Sequence, residues 1–188
     1  GALMMMAAHE VLKSVALAHP EPEKLLELAN ERLYALRSGR NQRNQQGGSF
    51  VALGYLGFRP GQGLLSYTLA GQPPPMVRRN SGTVDCLEMP EHRLPLGAMR
   101  VGGHRMLEVG LDAGDLVVAY SDGVVEAQSP EGDFFGEDRL AQLIAEAPAT
   151  PQEAVNYLLE EIEAFTGGHT PYDDVTLLAA SWSSGDGD

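Results

Sequence analysis

Apolar residues crowd the start of the chain. From Leu3 to Leu17 it is rich in Leu, Met and Ala, which are good helix formers. A helix apolar almost all round is a buried one. Pro20 and Pro22 punctuate it. From Pro22 to Arg37 the residues Leu25, Leu28, Ala29, Leu33 and Leu36 recur at helical spacing. Pro22 fits the first helical position and Gly39 can close the helix. Arg40 to Gly48 is polar and glycine-containing, the composition of a mobile loop.

The hydrophobic period then changes. Ser49 to Phe58 and Leu64 to Leu69 are β-rich runs around Arg59-Pro60-Gly61-Gln62-Gly63, a hairpin signal. Met76 to Arg79 and Val84 to Met89 predict a second pair around Asn80-Ser81-Gly82. Arg105 to Leu111 and Leu116 to Tyr120 predict a third around Asp112-Ala113-Gly114-Asp115. Helical spacing returns after Phe135, with Leu140, Leu143 and Ile144 on one face. Thr150, Pro151 and Glu153 open a last helix as N-cap, N1 and N3. Gly167-Gly168 ends it, and Val175 to Trp182 reads as a final strand. Consecutive hairpins mean antiparallel pairing, and the helices come in pairs rather than between strands. The pattern predicts an α+β fold with layered antiparallel sheets, not a doubly wound one. Residues 1–182 read as one domain, and 183–188 as a frayed, disordered tail.

Composition narrows the function. Thirteen Lys and Arg stand against 26 Asp and Glu in 188 residues, a net charge of −13. That balance argues against nucleic acid and anionic membranes, both of which need clustered cations. The longest early apolar run, Ala2 to Ala8, is far too short to span a bilayer. One cysteine, Cys86, allows no internal disulfide, so a reducing, cytoplasmic setting is expected. Its surroundings are not basic, so it reads as an inert small side chain. Arg78, Arg79, Arg100 and Arg105 read as a solvated strand face rather than phosphate binders.

Two acidic places stand out. The apolar run Val117-Val118-Ala119-Tyr120 leads straight into Ser121-Asp122-Gly123. An Asp at the end of a buried strand is rigidly placed, and Gly123 permits close backbone approach. Tyr172-Asp173-Asp174-Val175 leads into the last apolar strand. Alternation along a strand sends Asp173 and Asp174 to opposite sides, so only one of them shares a site with Asp122. Carboxylates converging from strand ends suit hard cations such as Mg²⁺ or Mn²⁺. On spacing alone, Asp-Gly is also ordinary turn chemistry.

The string from Leu116 to Ala127, built around Ser121-Asp122-Gly123-Val124-Val125-Glu126, resembles the hallmark of the SpoIIE/RsbU-type (stage II sporulation protein E) phosphatases. These are the bacterial branch of the metal-dependent type-2C Ser/Thr protein phosphatases. Ser49 to Leu53, Tyr67 to Pro75, Pro95-Leu96-Gly97, Phe135 to Leu140 and Asp173 to Leu178 follow in the family's order. The resemblance implies a sandwich of two antiparallel sheets flanked by helices. It implies that Asp122 and Asp173 bind a Mn²⁺ or Mg²⁺ centre, with Gly123 and Asp174 supporting them from behind. It implies hydrolysis of phosphoserine or phosphothreonine on a protein, such as an anti-sigma-factor antagonist, by a metal-bound water. Gln72 stands where the family usually has His. The family's opening strands, with their Gly-Asp-Val-x-Gly-x-Gly motif, have no counterpart here, and Gly1 to Ala7 resembles the helix that follows them. A fragment with weak metal binding and little activity is therefore expected, with an unpaired sheet edge that favours a homodimer. The rival expectation is a catalytically dead phosphatase fold that binds a signalling partner.

Overall fold

The computed structural model describes residues 2–18, 21–41, 50–59, 61–169 and 172–183. The elements run α1 (Ala2–Ala18), α2 (Pro22–Asn41), β1 (Leu53–Arg59), β2 (Leu64–Ala70), β3 (Met76–Arg78) and β4 (Val84–Cys86). Then come β5 (Leu107–Gly110), β6 (Leu116–Tyr120), α3 (Asp122–Val125), α4 (Glu137–Glu146), α5 (Pro151–Thr166) and β7 (Leu177–Ser181). Strands form one sheet in the order β1-β2-β5 and another in the order β4-β3-β6-β7. The fold class is the expected α+β. Among the described residues no helix is long and apolar enough to cross a membrane.

Two compact units are distinguishable. The first comprises 1–57, 65–72 and 89–108. Its apolar cluster joins Ala8 and Val15 of α1 to Leu25, Leu26 and Leu33 of α2, with Val51 and Leu96. Val51 and Leu96 exchange backbone hydrogen bonds in both directions. Asn30 is the buried polar exception on α2. Its amide donates to the carbonyls of Met99 and Arg100, and its side-chain oxygen accepts from the Gly97 N–H. These three bonds hold that loop on the helix.

The second unit comprises 58–64, 73–88 and 109–188. Strand β6 lies between β3 and β7, antiparallel to both, with Val118 opposite Met76 and Ala179. Leu116, Val117 and Val118 are completely buried, as a central strand covered on both faces requires. Leu140 and Ile144 of α4 and Leu158 and Ile162 of α5 pack on that core, each contributing about 2 kcal/mol by burial. Gly167 closes α5 in the left-handed conformation, as the sequence predicts.

Several expectations need correcting. Strands β5 and β6 do not pair with each other; they belong to different sheets. The turn between them is held instead by the buried Asp115 carboxylate, which accepts from the N–H groups of Asp112 and Asn80. Helix α2 runs through Gly39 to Asn41 instead of closing there. Of the loop predicted from Arg40 to Gly48, residues 42–48 lie outside the described residues, as do 184–188 of the tail. Arg78 is buried, not solvated: its guanidinium donates to the carbonyls of Ile144, Ala147 and Pro148 at the end of α4. That helix has no basic residue in its own last turn, so β3 supplies its C-terminal cation. The last strand begins at Leu177 rather than Val175.

Candidate active site

The site is built where β6 ends. Its buried residues fix the strand, and Ser121 is the first residue beyond it. The Ser121 N–H donates to the Thr176 carbonyl at 3.0 Å, which continues the β6–β7 ladder past its last residue pair, Tyr120 and Leu177. The Ser121 hydroxyl donates to the Asp174 carbonyl at 2.9 Å and accepts the Thr176 N–H at 2.9 Å. One serine therefore ties the acidic turn after β6 to the acidic turn before β7 by three hydrogen bonds.

Asp122 does not sit in a simple turn. It opens the four-residue helix α3, with Ser121 as N-cap residue. The Ser121 hydroxyl makes no capping bond because it is spent on the neighbouring segment. An acidic residue in a first helical turn is favourably placed against the exposed N–H groups. The Asp122 carboxylate accepts the Gly123 N–H at 3.0 Å and is otherwise exposed. Val124 is fully buried and anchors α3.

Gly123 is required by contact, not by its dihedral angles. A Cβ there would lie 2.6 Å from the Asp174 carbonyl oxygen and 3.3 Å from that of Asp173. The two acidic segments thus touch through the backbone at Gly123. Asp173 accepts the Asp174 N–H on its own carboxylate at 2.8 Å. Both Asp residues lie in the connection ahead of β7, and both are exposed. The strand-alternation argument for separating them therefore does not apply, because neither is on a strand.

Asp122 and Asp173 each spend one oxygen on a neighbouring N–H. Both side chains are exposed. Oxygen donors of this kind suit a hard divalent ion. Among the described residues, however, no three His, Cys, Asp or Glu side chains are grouped to hold a metal. His169, four residues before Asp173, belongs to no such group. The Ser121 hydroxyl is the residue that sequence reasoning missed. Its signal was only a hydroxyl preceding Asp-Gly at the end of a buried strand.

The combination of helices and antiparallel sheets is shared with solved type-2C protein phosphatase domains. The SiaA-PP2C domain of Pseudomonas aeruginosa superposes with a TM-score of 0.81 at 20% identity, covering 97% of this chain and 70% of that one. The RsbU and RsbW domains of a Mycobacterium tuberculosis protein give 0.72 at 22% identity, covering 97% and 48%. The phosphatase domain of the Bacillus subtilis cell fate determinant SpoIIE, presoaked in Mn, gives 0.62 at 16% identity, covering 96% and 76%. At the sequence level the family model for stage II sporulation protein E (SpoIIE) matches residues 1–183. The chain belongs to the SpoIIE family. Protein IcfG of Synechocystis is 28% identical over 122 residues, covering 62% of this chain and 18% of that protein's length.

Proposed function

We propose that this chain is phosphatase-domain sequence acting on phosphoserine or phosphothreonine in a regulatory protein, of the anti-sigma-factor-antagonist kind. Residues 1–182 make up the domain portion. Asp122 and Asp173 are its metal-facing carboxylates, and Mn²⁺ or Mg²⁺ is the ion. The observation that carries the reading is the Ser121 tie, which holds the Asp122 turn and the Asp173-Asp174 turn in contact. When bound, a divalent ion in such a site polarises phosphoryl oxygens and makes a potent nucleophile of its water. The chain's own residues do the holding: Gly123 lets the turns meet, Asp174 supplies the carbonyl that Ser121 grips, and Asp122 and Asp173 face outward. The acidic chain leaves nucleic acid out of the reading, and a cytoplasmic setting and a homodimer belong to the same proposal.

A second reading is favoured by one observation: among the described residues no three His, Cys, Asp or Glu side chains group to hold a metal. It makes the chain a phosphatase fold that binds a signalling partner without hydrolysis. Mn²⁺-dependent release of phosphate from a phosphoserine peptide separates the two. It is measured on this chain and on a version extended upstream through the Gly-Asp-Val-x-Gly-x-Gly strands that the family resemblance calls for. The phosphatase reading expects activity in the extended protein and its loss on Asp122→Ala. Activity in neither form leaves the binding module.

A further inference from the structure

Asp122 rides on a helix too short to hold itself. Helix α3 has four residues, and a single turn fixes many dihedral angles in return for very few hydrogen bonds. Its position is therefore set by what adjoins it. Upstream that is Ser121, bonded to the Asp174–Thr176 segment. Downstream it is Phe135 and Gly136, where α4 begins. The Gly136 N–H donates to the Val125 carbonyl at 3.0 Å, and the Phe135 N–H donates to the Ala127 carbonyl at 2.8 Å. The last carbonyl of α3 is thus satisfied by the N-cap residue of α4.

Phe135 is held in turn from α5. Its ring is buried and meets the Phe165 ring edge-on, with centroids 5.2 Å apart and planes at 83°, a favoured geometry for an aromatic pair. The Arg139 guanidinium lies over both rings, 4.2 Å from the centre of Phe165 and 5.7 Å from that of Phe135. A cation is attracted by the negative face of such rings. Arg139 is on the first turn of α4 and Phe165 on the last turn of α5. One exposed cation therefore closes the joint at which α4, α5 and the exit of α3 meet.

We infer that Arg139 is a positioning residue for Asp122. It clamps Phe135 onto Phe165, and Phe135 and Gly136 fix the end of α3. It acts through those two residues. What that position means for a metal-facing carboxylate rests on the phosphatase reading; the clamp on α3 does not.

The test is amide hydrogen exchange on the full 188-residue chain, followed by NMR. It needs neither metal nor turnover, so failure of the clamp and failure of the phosphatase reading are separate results. In the parent, the bonded amides of Val124, Glu126 and Gly136 are expected to exchange faster than those of Val117 and Val118 in β6, because α3 opens on its own. Arg139→Met keeps the stem and removes the charge. It should speed exchange at those three amides by about two- to five-fold, the size of one exposed cation–π contact. Arg139→Lys should restore most of the parent rate. Arg105→Met removes an equally exposed charge in the other unit and should leave the three amides unchanged. Exchange in the parent as slow at α3 as in β6 overturns the inference, because α3 then has no separate opening to restrain. So do unchanged α3 rates in Arg139→Met, or a lysine variant no slower than the methionine one. An Arg105→Met effect as large as that of Arg139→Met also overturns it, by making the effect one of net charge.

Discussion

Gly123 has no room for a side chain, because the Asp174 carbonyl occupies the place of its Cβ. Gly123→Ala should therefore destabilise the fold by about 1–3 kcal/mol, the usual cost of overpacking a rigid contact. Urea unfolding checks this. Ser121→Ala removes two side-chain hydrogen bonds to the Asp174–Thr176 segment and should cost about 1–2 kcal/mol. Its more telling effect is faster amide exchange at Thr176, whose N–H loses its acceptor. The Asp-Gly and Asp-Asp pairs were legible in the sequence because strand-end carboxylates leave a local pattern. The Ser121 tie was not, since its partners lie more than fifty residues away.

Asp115 sets a pH dependence at the same scale. Burial pushes its carboxyl up, but the N–H groups of Asp112 and Asn80 and the Arg79 guanidinium together outweigh burial and hold it below the usual range. A lowered folded value means the charged form is the stabilised one. The contribution is full above the unfolded carboxyl value of about 4. It is lost as pH falls through the lower folded value. Stability measured by urea at pH 7 and pH 3 should fall less on acidification in Asp115→Asn than in the parent, and the variant should start lower.

At the scale of elements, α4 depends on β3. Three carbonyls at its end are held by Arg78. Arg78→Met keeps the buried stem and should cost about 2 kcal/mol, the loss of charged hydrogen bonds. Arg78→Lys should recover only part of that, because an ammonium lacks the planar fork. Thermal or urea unfolding measures both. Helix periods were read well: α1, α4 and α5 fall within a few residues of their expected places. Strand partnership was read less well. The run at 105–111 and the run at 116–120 look like a hairpin locally, yet β6 pairs with β3 and β7. Hydrophobic alternation reports which residues are buried, not which strand lies alongside. The helix α3 went unread because four residues are too few to show a period.

For the molecule as a whole, the order of motifs along the chain was the legible signal, and the family match over residues 1–183 agrees with it. The contact between the Asp122 and Asp173-Asp174 segments was not legible in any local pattern, because they lie on elements far apart in the chain.

The central claim is that Asp122 and Asp173 face one phosphatase centre. The most direct measurement is Mn²⁺-dependent phosphate release from a phosphoserine peptide. It is made on this chain joined to the Gly-Asp-Val-x-Gly-x-Gly strands that the family resemblance calls for, and on the Asp122→Ala and Asp173→Ala variants. The account predicts hydrolysis in the parent and its loss in both variants, with both still folded. Hydrolysis that survives either substitution, or a folded parent with none, would contradict it.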